Sequence, residues 1–374
     1  MKVFIEANNI ISSLGFSTNE NFNNILNGEI GIKTCTNKHL SSKAFPASFI
    51  DNYKINENFQ SIENKTKYTR FEKLSILSVN EALNNSSAIV SDSRTLFILS
   101  TTKGNIELLD NNLPEDFPEE RLNLFTTAKT ISDFFKIKIP PMIVSNACIS
   151  GVAAIVLGQR LINQGHYDNV IVNGTDVLSK FVVSGFQSFL SLSTNPCKPF
   201  DINRDGLSLG EGSATIILTK NKTNIEIADG ATSNDANHIS GPSRTGEGLL
   251  IAINKATKNY KNIDCISAHG TATPYNDDME SNAISRAGFQ SVPTNSLKGY
   301  FGHTLGAAGL IESIISLESI KNNTLIKTAN CTTPGTVEKI NIILKTENQK
   351  LNSLLKLASG FGGCNAAALF LKHE

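Results

Sequence analysis

The sequence predicts an α/β fold built twice over, and three observations carry that expectation. Short β-branched runs alternate with stretches of helical periodicity, the pattern of sheets enclosed by helix layers. A chain of 374 residues exceeds one comfortable hydrophobic core and matches two fused units of roughly 150–200 residues. Finally, the two parts echo each other. Ile143-Val144-Ser145-Asn146-Ala147-Cys148 runs into Gly151-Val152-Ala153-Ala154-Ile155. Val292-Pro293-Thr294-Asn295-Ser296 leads through a turn to His303 and then to Gly306-Ala307-Ala308-Gly309. Each is a short strand, a turn bearing a reactive side chain, and a helix opening with small residues. Small residues let helix backbones approach closely, so the two helices are expected to meet at the centre of a pseudo-symmetric molecule. Two unrelated strand–helix units are the alternative.

The elements follow in chain order. Strands are expected over 3–11, 95–100, 142–146, 169–173 and 214–219, then over 225–229, 265–268, 340–344, 356–359 and 366–371. Helical periodicity marks 71–83, 151–163, 247–258, 283–287 and 305–320. Between 105 and 135, Asn-Asn, Leu-Pro and Phe-Pro breaks indicate an excursion around a short helix. No linker-like composition appears, so a boundary near 220–224 joins two packed halves, 1–220 and 221–374.

Composition narrows the function. Lys+Arg and Asp+Glu balance at 34 each, so no global charge favours nucleic acid or an anionic membrane. An acid at Glu6 and the Asn8-Asn9 pair interrupt what would be a signal peptide's apolar region. No run of ~18 apolar residues suggests a membrane span. Six scattered cysteines without a C-x-x-C pair fit reduced thiols, and a cytoplasmic protein is expected.

Three side chains stand where chemistry is commonly done. Cys148 lies between a strand end and a helix start, where free N–H groups and the helix dipole favour a thiolate or serve as an oxyanion hole. A buried inert thiol is the other reading. His269, in Ser267-Ala268-His269-Gly270-Thr271-Ala272-Thr273-Pro274, follows an apolar strand, and open α/β sheets place sites at strand carboxyl ends. His303 sits in Tyr300-Phe301-Gly302-His303-Thr304-Leu305-Gly306. Lys298 nearby would disfavour its imidazolium, and Glu312 would anchor Lys298 or His303. His39, His166, His238 and His373 are read as solvent-facing. Gly360-Phe361-Gly362-Gly363 permits close backbone approach to a ligand, or is simply a tight turn.

One decoy is set aside. Asp201-Ile202-Asn203-Arg204-Asp205-Gly206 opens like a calcium loop, but Gly212 occupies the twelfth position and a strand follows. A structural turn is expected instead, with Arg204, Asp205 and Glu211 in buried polar contacts. No nucleotide-binding glycine loop is present.

Taken jointly, Asn146-Ala147-Cys148-Ile149-Ser150-Gly151, Ala268-His269-Gly270-Thr271-Ala272-Thr273-Pro274, Lys298-Gly299-Tyr300-Phe301-Gly302-His303-Thr304-Leu305-Gly306-Ala307-Ala308-Gly309 and Gly360-Phe361-Gly362-Gly363-Cys364-Asn365 resemble the β-ketoacyl-[acyl-carrier-protein] synthases. The match is to their elongating Cys-His-His branch, and it is strongest from Met142 onward. Lys198-Pro199-Phe200-Asp201 through Gly210-Glu211-Gly212, Ser13-Leu14-Gly15 and Tyr68-Thr69-Arg70-Phe71 support it.

The resemblance implies a thiolase-like, duplicated five-layer α-β-α-β-α architecture, assembled as a homodimer or as a heterodimer with a related synthase chain. It implies decarboxylative condensation, in fatty-acid or specialised polyene or polyketide elongation. Cys148 would hold the acyl group, while His269 and His303 would bind the thioester carbonyl of malonyl-[acyl-carrier protein]. Lys298 and Glu312 would support the histidines. Phe361 would gate the pocket and lend its N–H to an oxyanion hole, and Thr271 and Thr273 would hold the phosphopantetheine arm. No metal or other cofactor is implied, because the pantetheine arrives on the acyl-carrier protein. Ile149, where the family commonly has a small residue, is expected to narrow the pocket. Gly174-Thr175-Asp176 also departs from the usual pattern. Two alternatives remain: a non-catalytic chain-length partner, or a thiolase-like enzyme using coenzyme A esters. A Cys-His-His zinc site is more remote.

Overall fold

The computed structural model describes residues 1–63, 68–110 and 117–373. The Asn-Asn and Leu-Pro breaks expected at 111–114 lie outside them. Ten strands form the main sheet. The first five are β1 (Phe4–Ile11), β2 (Thr95–Ser100), β3 (Met142–Val144), β4 (Asn169–Asp176) and β5 (Gly212–Thr219). The second five are β6 (Ile225–Asn234), β7 (Cys265–Ser267), β8 (Thr294–Asn295), β9 (Ser353–Gly360) and β10 (Cys364–Lys372).

Their order is β3-β2-β4-β5-β1 followed by β6-β10-β9-β7-β8. Counted from the centre outward, both halves therefore run first, fifth, fourth, second, third. Directions repeat as well. β1–β5 and β5–β4 are antiparallel while β4–β2 and β2–β3 are parallel. β6–β10 and β10–β9 are antiparallel while β9–β7 and β7–β8 are parallel. Phe4 opposite Glu226 joins the halves.

The helices are α1 (Thr18–Leu26), α2 (Asn52–Gln60), α3 (Arg70–Asn84), α4 (Leu124–Phe134), α5 (Ser150–Asn163), α6 (Lys180–Ser188), α7 (Glu247–Ala256), α8 (Pro274–Arg286), α9 (Lys298–Phe301) and α10 (Ala308–Asn322). α3 and α4 cover the outer face of the first half-sheet, and α7 with α8 covers that of the second. α5 and α10 lie between the half-sheets, giving five layers. Twelve of the fifteen residues of α10 are buried, so the helix is enclosed on nearly every side.

The two central helices meet through glycine, as their small residues predict. A Cβ on Gly151 would come within 2.9 Å of the Leu310 nitrogen and 3.1 Å of the Gly309 Cα. One on Gly309 would meet the Val152 nitrogen at 2.7 Å. Val152, Ile155, Leu310, Ile311 and Ile314 extend this contact into the central core.

Three expectations need correction. Residues 340–344 form no strand: the Ile342 N–H turns back onto the Ile340 carbonyl, leaving a single bridge between Thr294 and Ile342. The helix expected over 283–287 begins at Pro274, because its Asp277 and Glu280 are buried acids with a structural task. In the turn after Asp201, Asp205 is exposed, whereas Arg204 pairs with Asp278 at 2.7 Å and Glu211 with Arg70. Asp201 itself accepts the Thr332, Thr333 and Asn203 N–H groups, which makes the segment a capped turn.

Candidate active site

The nucleophile candidate is held by strain and by a serine. Ala147 has φ 45°, a left-handed conformation that costs a non-glycine residue roughly 1–2 kcal/mol. Ser150 Oγ fixes the turn by accepting from the Asn146 N–H (2.7 Å) and donating to the Ala147 carbonyl (2.6 Å). Cys148 is thereby placed at the start of α5, 7% exposed. Ala272 (φ 62°) and Leu305 (φ 54°) are strained in the same way, close to His269 and His303. Such outliers persist only where surrounding structure holds them, and here all three flank one cavity.

The ligand atoms of Cys148, His269 and His303 lie within 4.8 Å of one another, and all three residues are buried. The imidazole planes meet edge to face at 83°, with centroids 5.2 Å apart. A cavity of about 390 Å³ opens onto them, with Thr271, Thr273 and Phe361 in its wall. The two threonine hydroxyls are 2.8 Å apart. Phe361 stacks on Phe186 and meets Phe189 edge-on. Its loop is pressed close, since a Cβ on Gly360 would lie 2.9 Å from the Cys148 nitrogen.

Hydrogen bonding fixes what each ring offers. The Lys298 ammonium, which can only donate, lies 3.2 Å from His269 Nδ1. The Leu305 N–H donates to His303 Nδ1 at 3.3 Å. With both Nδ1 atoms accepting, the neutral rings carry their protons on Nε2 and present two N–H donors to the cavity. Burial, then the positive charge of Lys298, lowers both imidazoles well below the usual 6.5. Burial also pushes the Cys148 thiol up to about 11, with Lys298, Lys103 and the Phe361 N–H opposing. The thiolate expected from the helix terminus is therefore not the resting form, because desolvation outweighs the favourable groups.

Lys298 is found on His269 rather than beside the ring of His303. It also donates to the His269 carbonyl and to Glu312 Oε1, each at 2.6 Å. The fixed partners argue against zinc, since a metal-bound histidine donates its other ring N–H to an acceptor. Here each Nδ1 faces a donor. Ile149 is wholly buried in the central core and is not part of the cavity wall, so it does not narrow that space. His238, read as solvent-facing, is exposed and stands in the wall of the cavity mouth.

Several supporting residues escaped the sequence reading. Glu280 accepts the His269 and Gly270 N–H groups (2.6 and 2.7 Å), and Asp277 accepts that of Thr271 (2.9 Å). Burial raises these carboxyls to about 7 and about 6. Pro274 followed by acids three and six residues on was their signal, a helix start whose acids face inward. Asp176 accepts the Gly306 N–H at 2.7 Å and that of Thr102 at 2.9 Å, tying the β2 and β4 ends to the segment after His303. Lys356, in Leu354-Leu355-Lys356-Leu357-Ala358, is fully buried on a strand buried on both faces.

A duplicated five-layer fold with this Cys-His-His cluster defines the class. The family model "Beta-ketoacyl synthase, N-terminal domain" matches residues 2–224, and the model of the C-terminal domain matches 225–332. The chain belongs to the β-ketoacyl synthase family of condensing enzymes. It is 28% identical to the 3-oxoacyl-[acyl-carrier-protein] synthase 2 of Staphylococcus aureus (strain N315), across 100% of this chain and 99% of that protein. With the synthase 2 of Rhizobium meliloti (strain 1021) it shares 32% identity over 70% of this chain and 67% of that one. Among solved structures it is similar to the ketosynthase ApeO in complex with its chain length factor ApeC from Xenorhabdus doucetiae. That match has a TM-score of 0.87 and 24% identity, covering 100% and 98% of the two chains. A β-ketoacyl synthase from Burkholderia phymatum gives 0.86 and 24%, with 100% of each chain covered. Both likenesses bear on the thiolase fold. No helix among the described residues is long and apolar enough to cross a membrane.

Proposed function

We propose that this chain catalyses the decarboxylative condensation of an acyl group with malonyl-[acyl-carrier protein], giving a 3-oxoacyl-[acyl-carrier protein]. The observation that carries the reading is the pairing of a buried sulfur with two imidazole N–H donors in one cavity. In the first half-reaction Cys148 Sγ attacks the acyl thioester, and its proton leaves on the pantetheine sulfur. The N–H groups of Cys148 and Phe361 receive the carbonyl oxygen. Thr271 and Thr273 hold the pantetheine arm along the cavity wall.

In the second half-reaction the malonyl thioester carbonyl takes the Nε2–H donors of His269 and His303. The carboxylate departs as carbon dioxide, and its bonding pair becomes an enolate whose oxygen the two donors stabilise. Each such donor contributes about 3–4 kcal/mol to a developing oxyanion in a dry site. The enolate carbon attacks the acyl-Cys148 carbonyl and expels the sulfur, which regains a proton from solvent. Lys298, held by Glu312, keeps His269 oriented and neutral. No metal or further cofactor is needed for these steps.

The working partner is an acyl-carrier protein, and the assembly is a dimer with a second copy or a related synthase chain. The half 1–220 supplies the sulfur and the half 221–374 both imidazoles. A cytoplasmic setting fits the six free thiols among the described residues. A purely structural, chain-length role is disfavoured by the retained cysteine opening onto the cavity. The test is incubation with acyl- and malonyl-[acyl-carrier protein] over a range of acyl lengths. Carbon dioxide and a 3-oxoacyl product are expected, and a folded sample yielding neither at any length overturns the reading.

A further inference from the structure

Behind His269 lies a charged group that the condensation scheme above does not use. Lys356, on β9, is buried completely, and its ammonium donates to the Ser267 and Ala268 carbonyls at 3.2 and 3.1 Å. It lies 2.7 Å from Glu312 Oε2. Lys298 occupies the other oxygen of the same carboxylate and the carbonyl of His269 itself. Two ammonium groups therefore grip three consecutive carbonyls at the end of β7 and share the Glu312 carboxylate, which with Glu280 opposes the burial that lowers the Lys356 pKa.

We propose that Lys356 is a positioning residue that acts through Glu312 and the β7 carbonyls to hold His269 as a neutral Nε2–H donor and to bias the cavity toward anionic transition states. The geometry explains the arrangement better than packing does. A methionine would fill the same apolar strand without desolvating a charge, whose burial is costly unless paired. One carboxylate would also neutralise Lys298 alone. The second cation makes the surroundings electropositive, and nearby positive charge opposes imidazolium formation. The groups that face His269 are Lys298 from α9, Glu312 from α10, Lys356 from β9, Glu280 from α8, His303 and Cys148. Lys298, His303 and Lys356 all act on His269 in that direction. The two fixed ammonium groups stay in place as the enolate forms, so no reorganisation is required at the reacting moment.

The inference rests on the proposed condensation, and its test separates the two. Lys356→Met and Lys356→Gln are compared with the unaltered chain in acyl loading of Cys148 and in carbon dioxide release from malonyl-[acyl-carrier protein], each across pH. Gln keeps donors for the carbonyls but not the charge. Both variants are expected to lose at least tenfold more in decarboxylation than in loading. The acid limb of the decarboxylation profile should move to higher pH, because the imidazolium forms more readily. A merely structural lysine would lower both activities together and leave the limb unmoved, and that result overturns the proposal. Failure of the unaltered chain to load or decarboxylate defeats the condensation reading instead. If neither variant folds, ¹⁵N-lysine and ¹⁵N-histidine spectra of the unaltered chain decide: Lys356 should stay charged while both rings remain Nε2–H across the active pH range, and a neutral Lys356 amine there, or ring titration near pH 6.5, contradicts the role given to Lys356.

Discussion

The turn after the third strand differs sharply between the two repeats. In the first repeat it spans residues 145–149 and hands the chain directly from β3 to α5. In the second it spans 296–307, enclosing α9 before α10 begins. The short turn holds Cys148 by backbone strain and one serine hydroxyl. The long one brings Lys298 and His303 and is tied to a buried ionic web centred on Glu312. In the proposed condensation the same architecture thus serves two chemistries. For nucleophilic attack the helix terminus would be left free for an oxyanion. For donation from a neutral ring, fixed charges would keep the proton in place.

The largest effect expected from breaking this division is at the sulfur. Cys148→Ala should abolish acyl loading and condensation while preserving the decarboxylation donors, measured by product formation beside carbon dioxide release. His269→Ala or His303→Ala should do the reverse. Each is expected to retain acyl loading and to lose decarboxylation by about 10²–10³-fold, the usual cost of one oxyanion donor. Equal loss of both half-reactions in every variant would erase the division of labour.

A smaller effect tests the seam where the repeats meet. Gly151→Ala places a methyl against the Leu310 nitrogen and the Gly306 carbonyl, which as backbone cannot step aside. Overpacking of this kind costs about 1–3 kcal/mol, read as a lowered urea midpoint. The smallest effect is a pH dependence of stability. Both histidines are held below their unfolded value of 6.5, so below that pH the unfolded chain binds more protons than the folded one. Their contribution is therefore lost as pH falls, while Glu280 and Asp277, raised to about 7 and 6, act in the opposite sense. His303→Asn isolates the first: its stability relative to the unaltered chain should improve steadily from pH 7 to pH 5.

How much of this was legible in the sequence follows from the kind of interaction involved. Local signals survived folding well. Short β-branched runs mark most of the main-sheet strands, small residues mark the crossing of α5 and α10, and glycine-flanked reactive side chains mark the cavity. Residues 340–344 misled because alternation of Ile340, Asn341 and Ile342 looks like a strand, while a turn-back hydrogen bond breaks it. The start of α8 is hidden in the sequence because its inward face is acidic rather than apolar: Asp277 and Glu280 accept from the backbone of residues 269–271. Lys298 was set near His303 by sequence proximity, yet its ammonium reaches the histidine 29 positions away. No local signal marks Lys356, since only the fold places Glu312 between the two lysines.

Everything in the proposed chemistry depends on which atom carries the acyl chain. Intact and peptide mass spectrometry after incubation with acyl-[acyl-carrier protein] reads that atom directly. The expected result is one acyl group on Cys148, which disappears when malonyl-[acyl-carrier protein] is added as 3-oxoacyl product forms. An unmodified Cys148 in a folded sample that still makes product, or an adduct on another cysteine, would contradict it.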